Sequence, residues 1–349
     1  MKCSLRIVLA ALIITVCLPL AAVADPIEGR DVLKFRQLPM FNTAIADPTN
    51  PNGIPLYHGH DELSTAWGFP TTTGGDPVIY QGRFMADDFA DHFNSPVVHV
   101  KWWGSYMNRP TSQPDARVRR FLISFEEDIP APATGGFSRP GEPLLNQIVT
   151  RDADGVFTVG EGTFTERLIP LTEGIDGPTF EYNAELHLDK AFHEKAETVY
   201  WLKIVALDEI ANPNIPLDQR LQWGWHNRDY TIRDPLASTP PLVFPGERLV
   251  GVIPGLPGFP DSPIWHFQDD AVSGGVNVFI NPDMPIMPRI EQFGFEPQRY
   301  LPPYDGPSLI GQFSKDLAFN LYTTPEPGTM SLLALALFGC ATLARRQRV

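Results

Sequence analysis

The chain has 349 residues, with 27 basic and 41 acidic side chains and a formal charge of −14 at pH 7. Such a surface repels polyphosphate and anionic lipid, which excludes nucleic-acid binding as the class to expect. The 36 prolines, about twice the usual share of roughly 5%, argue against long helices, because proline lacks an amide donor and clashes with the preceding turn.

In chain order, Lys2 and Arg6 precede an apolar run from Ile7 to Leu20, and Ala22-Val23-Ala24 follows. That order predicts a secretory signal helix over residues 1–24, cleaved between Ala24 and Asp25; an uncleaved anchor is the competing reading. Residues 25–83 read as an irregular segment, with a turn-rich stretch at Asp47-Pro48-Thr49-Asn50-Pro51-Asn52-Gly53.

The strand signal begins near Phe84. Val98, Val100 and Trp102 fall on one face of a run from Val97 to Met107. Phe121, Ile123 and Phe125 alternate between Arg117 and Glu126, and Phe180, Tyr182, Ala184, Leu186 and Leu188 alternate with polar neighbours up to Asp189. Side chains alternate across a strand, so one face is buried and the other wet. Thr198–Leu207 is apolar on nearly both sides and suits a central strand, while Lys315–Tyr322 should close the sheet. Asp189–Ala196 suggests a short helix. The segments Pro240–Pro263 and Pro282–Pro307 read as long loops. The predicted fold over residues 84–323 is an all-β, antiparallel β-sandwich, jelly-roll-like, with long Pro/Gly-rich loops.

Residues 324–349 carry Pro325-Glu326-Pro327 and end on Arg345-Arg346-Gln347-Arg348, with eighteen uncharged residues between Glu326 and Arg345. As a helix the uncharged stretch would reach roughly 27 Å, close to a hydrocarbon core of about 30 Å, which predicts a C-terminal transmembrane segment. The arginines after it would stay on the cytoplasmic side. Cys3, Cys17 and Cys340 all lie in the two end segments, so residues 25–324 contain no cysteine, hence no disulfide and no thiolate site. Five basic residues and one acidic residue also belong to the ends, leaving 22 basic against 40 acidic in the body, a net of −18.

The order and spacing of Pro325, Glu326, Pro327, the apolar span, Arg345 and Arg346 resemble the tails of PEP-CTERM proteins, the substrates of bacterial exosortases. That resemblance implies export through the secretory machinery, a transient inner-membrane precursor held by the C-terminal helix, and processing by an exosortase partner. The product would stand in the cell envelope, at the cell surface or outside. A permanent single-span anchor is the alternative. The body is also similar to an uncharacterised family of secreted bacterial β-domains, through Ala86-Asp87-Asp88-Phe89, Trp102-Trp103-Gly104-Ser105, Pro140-Gly141-Glu142, Tyr200-Trp201-Leu202, Trp223-Gly224-Trp225 and Asp269-Asp270-Ala271.

No serine elbow, zinc-hydrolase helix, phosphate loop or dinucleotide fingerprint is present, so no catalytic residue is assigned. Asp87-Asp88 and Asp269-Asp270 are carboxylate pairs of a kind that can hold calcium; the competing reading is turn capping. Trp103 and Trp225 are candidates for an exposed platform on which sugar rings stack, against the default of core packing. The leading expectation is a non-enzymatic surface or matrix protein associated with exopolysaccharide and needing no cofactor. A carbohydrate-binding module comes second, and a polysaccharide hydrolase third.

Overall fold

The computed structural model describes residues 31–41, 44–45, 57–58, 60–68, 79–130, 137–151, 162–174, 177–187, 190–210, 212, 214–228, 249–253, 262–265, 271–281, 284–298 and 316–324. Among them the regular structure is β, apart from short 3-10 turns such as Leu217–Gln219. In order the strands are β1 (Val32–Gln37), β2 (Ala44–Ile45), β3 (Tyr57–His58), β4 (Asp61–Leu63), β5 (Thr65–Gly68) and β6 (Ile79–Phe89). There follow β7 (His99–Asn108), β8 (Arg120–Ile129), β9 (Arg139–Arg151), β10 (Gly162–Gly174), β11 (Gly177–Glu185), β12 (Tyr200–Glu209) and β13 (Gln222–His226). The last are β14 (Leu249–Ile253), β15 (Ser262–Trp265), β16 (Val272–Asn281), β17 (Met284–Pro297) and β18 (Phe319–Thr323).

Hydrogen-bonded pairings run β7–β11–β10–β9–β8–β12–β5 along one large mixed sheet. β13 pairs with both β7 and β4. β4 and β5 flank Ser64, whose amide donates to the Trp223 carbonyl at 3.0 Å while its carbonyl accepts the Ala206 amide at 2.9 Å. The pairings thus close into a ring, which leaves none of its member strands with a bare edge along that stretch. β1 and β18 branch from β7, and β6, β16 and β17 branch from β12.

Inside the ring lies an aromatic core. Trp102 stacks on Tyr182 with centroids 5.4 Å apart, and Phe121 meets Trp223 edge-on at 4.8 Å. A second core, with Phe84, Leu122, Trp201, Val205 and Val276, lies on the opposite faces of β6, β8, β12 and β16. There β17 folds back over β9, held where the Asn146 amide donates to the Pro288 carbonyl at 3.2 Å and the Gln292 amide to the Gly141 carbonyl at 2.6 Å.

All-β holds, but five local expectations change, one being that Pro240–Pro263, expected as a loop, carries the antiparallel pair β14–β15. The sheet is not purely antiparallel: β5–β12 and β9–β10 are parallel pairs, because alternation fixes which face is buried and not which partner a strand takes or its direction. The described residues before Phe84 are not irregular throughout; they supply β1, β4 and β5, too short to show a period but pinned by distant partners. The segment Pro282–Pro307 carries the fourteen-residue β17, whose prolines are tolerated because, among the described residues, it is an edge strand paired with β16 alone. Residues 190–197 form turns and an isolated bridge between Phe192 and Val97 rather than a helix.

The expected signal helix and C-terminal transmembrane helix lie outside the described residues. Among the described residues no helix is long and apolar enough to cross a membrane.

Candidate functional site: a polar groove at one end of the ring

Two prolines, Pro110 and Pro114, and turn-forming polar residues end β7 and carry the chain across one mouth of the ring. The Gln113 amide donates to the Pro110 carbonyl at 2.8 Å and the Ala116 amide to that of Gln113 at 3.0 Å, so residues 110–116 are two linked turns. At the same mouth stand the start of β8 and the ends of β9 and β12, as their register requires: Arg120 lies opposite Thr150 on one side and Leu207 on the other.

The even-numbered positions that bury Trp102, Phe164 and Tyr182 continue to Tyr106 and Glu166, so these two polar groups plug the end of the aromatic core. The Tyr106 hydroxyl donates to Glu166 Oε2 at 2.5 Å and accepts the Val118 amide at 3.1 Å. Arg151 Nη2 donates to Glu166 Oε2 at 2.9 Å and to the Tyr106 oxygen at 3.3 Å, while Arg117 Nη1 reaches Glu166 Oε1 at 3.1 Å. Arg109 covers the Tyr106 ring at 4.1 Å. Burial first, and then the Glu166 charge, hold the Tyr106 hydroxyl far above its ordinary pKa, so it acts as a donor and not as a phenolate.

Above this plug lies a cavity of about 830 Å³, lined by Gln113, Asp115, Arg117, Arg119, Arg120, Thr150, Arg151, Asp208 and Glu209, among others. A second cavity, about 530 Å³, shares Gln113, Ala116, Asp208 and Glu209 with it and extends past Thr111, Ser112, Gln219 and Arg220. Together they make one extended groove. Arg120 is 3.5 Å from Glu209, which also accepts the Tyr80 hydroxyl at 3.3 Å. Burial, the leading cause, raises the Asp208 carboxyl from 3.8 to about 7; the neighbouring Glu209 charge adds to this, and a backbone hydrogen bond opposes it. Planar guanidinium donors alternating with carboxylate acceptors can grip vicinal hydroxyls and carboxylates from both sides.

The predicted site residues lie elsewhere. Trp103 is 4% exposed and Trp225 0%, and the Trp225 ring nitrogen donates to the Ala318 carbonyl at 2.9 Å. Neither presents an indole face to solvent, so the sugar platform expected there is corrected to core packing. Asp87 and Asp88 are both buried but point to opposite faces of β6. Asp87 accepts the Leu317 amide at 2.9 Å and the Asp88 amide at 3.1 Å, which is the capping role rather than a shared ion site. Among the described residues no group of three or more His, Cys, Asp or Glu side chains is arranged to hold a metal. Asp269, Asp270, Ala24, Asp25, Pro325, Glu326, Pro327, Arg345 and Arg346 lie outside the described residues. Sequence reasoning missed the groove. Arg117-Val118-Arg119-Arg120, a basic triplet in an acidic chain, was the available signal; Tyr106, Glu166 and Asp208 join it only through strand register.

Residues 323–348 match the PEP-CTERM protein-sorting motif, the mark of an exported, envelope-associated protein processed by an exosortase. Residues 34–241 match a domain of unknown function, DUF7901, over more than half of the chain, and the chain belongs to that family. No curated protein and no solved structure matches it.

Proposed function

We propose that this is a non-enzymatic surface or matrix protein whose body associates with extracellular polysaccharide, delivered by its sorting tail after secretion. The observation that carries the reading is the extended groove. Five arginines, two aspartates and a glutamate line a trough long enough for several units of a chain, in a protein whose net charge otherwise repels anions. The groove suits a polyhydroxyl chain carrying carboxylates, with Arg119 and Arg151 as donors and Asp208 and Glu209 as acceptors for hydroxyls.

Retention of the purified protein on an immobilised polyuronate, compared with neutral dextran, tests it. Preferential retention is expected, weakened about tenfold by Arg119→Ala combined with Asp208→Asn, the equivalent of losing one charge-assisted contact. Equal indifference to both polymers would reject the reading.

A hydrolase, third among the expectations, is favoured by one observation: a groove carboxyl whose pKa is raised to about 7 is a candidate general acid. Against it, Asp208 and Glu209 are adjacent on a strand and point to opposite faces, so they are not a facing carboxylate pair across one bond. Reducing-sugar release abolished by Asp208→Asn would favour it.

A further inference from the structure

Away from the groove, Lys34 of β1 is buried with two carboxyl groups. Lys34 is 1% exposed, Asp91 4% and Glu194 5%. The lysine Nζ meets Glu194 Oε1 directly, donates to the Ser95 carbonyl, and stands 3.5 Å from Asp91 Oδ2. Asp91 Oδ1 accepts the Phe93 amide at 2.7 Å.

The backbone holds this arrangement rigidly. Val97 and Phe192 exchange hydrogen bonds of 2.8 and 3.1 Å, the Glu197 amide donates to the Asp91 carbonyl at 2.7 Å, and the Ala196 amide donates to Asn94 Oδ1 at 2.9 Å. Residues 91–97 and 192–197 are thereby fastened together, with Glu194 between the anchor points. An amine and a carboxyl fixed in contact have lost the entropy that normally separates them.

Burial drives the lysine pKa down, Asp91 opposing, and drives the Asp91 carboxyl up, Lys34 opposing. Both shifts run toward a neutral amine, the nucleophilic form, beside a protonated Asp91 able to give a proton to a leaving hydroxyl. In water the two would instead neutralise each other as ions.

We propose that Lys34 and Glu194 join in an intramolecular isopeptide bond, with Asp91 as the proton shuttle. The lysine nitrogen forms a bond to Glu194 Cδ, and the protonated Asp91 gives its proton to the Glu194 hydroxyl oxygen. The C–O bond of the tetrahedral intermediate then breaks, its oxygen leaving as water, and the nitrogen returns a proton to Asp91. Amine plus acid gives amide plus one water; no oxidant, cofactor or second protein is consumed. The bond would tie the edge strand β1 to the connection between β11 and β12, in a body whose residues 25–324 offer no cysteine for a disulfide.

The full-length protein, purified, denatured and digested with trypsin, supplies the test by mass spectrometry. The expected product is a branched peptide joining the Lys34 and Glu194 segments, lighter than their sum by one water, with no cleavage after Lys34. Separate linear peptides with cleavage at Lys34 would overturn the proposal, and this readout needs no variant. In Asp91→Asn the branched peptide should be lost while circular dichroism still reports the folded β spectrum. Undiminished cross-linking in that variant would overturn the role given to Asp91.

Discussion

A lysine on β12 shows what burial does to single residues in this protein. Lys203 and Glu126 are both fully buried, with Nζ and Oε1 2.5 Å apart; Ser124 donates to the same oxygen at 2.8 Å, and the Phe84 ring lies 4.2 Å from the ammonium. Taking two charges out of water costs several kcal/mol each, and their attraction recovers this only while both are present. Glu126→Ala should therefore destabilise the protein by about 3–5 kcal/mol in urea denaturation, whereas Lys203→Met with Glu126→Leu should restore most of the loss. Asp208 makes a pH prediction. Its carboxyl titrates near 7 when folded and near 3.8 otherwise, so between those values the folded state binds more protons and stability falls as pH rises. Asp208→Asn should flatten that fall, leaving the variant more stable relative to wild type at pH 8 than at pH 4; melting curves across this range check it. Residues of this kind were only partly legible. Tryptophan in a strand points to the core by default, and Trp225 obeys, but nothing local in Lys203 or Asp208 says that a far strand will bury them.

Among the elements, the closure of the ring depends on a close approach of two backbones. A Cβ placed on Gly104 would come within 2.3 Å of the Gly224 carbonyl oxygen and 2.4 Å of the Trp223 ring, where β7 and β13 pair. No rotamer relieves a backbone clash, so Gly104→Ala must separate those strands. A loss of several kcal/mol is expected, comparable with overpacking a core at about 1–3 kcal/mol and adding broken ladder bonds. Denaturation, together with faster amide exchange confined to β4, β7 and β13, would show it. The long strands β7, β8, β11 and β12 could be read from their alternation because each buries one face over many residues. β4 and β5 could not, since three or four residues show no period and their pairing with β13 and β12 is a property of distant sequence. β17 hid behind its prolines, which only an edge position allows.

At the scale of the molecule, address and body are separable. The sorting motif covers residues 323–348 and the DUF7901 match ends at residue 241. Replacing Pro325 and Glu326 by alanine should leave the fold intact and the protein unprocessed in the membrane fraction, with the mass of its C-terminal peptide unchanged. Normal release of that variant would contradict sorting through the motif. The tail was readable from its charge and spacing, and its destination through the family resemblance they carry; the groove was not, because it is assembled by strands that meet only after folding. One detail of the sheet carries a further consequence. β18, the last described strand, does not lie at the margin but between β1 and β7, pairing with both. A chain arrested before residue 319 would present two raw strand margins facing an empty slot, a ready template for aggregation. Completion of the sheet therefore waits for the end of the body to emerge, and a folded β1–β18–β7 seam certifies that synthesis and export ran through to the last strand.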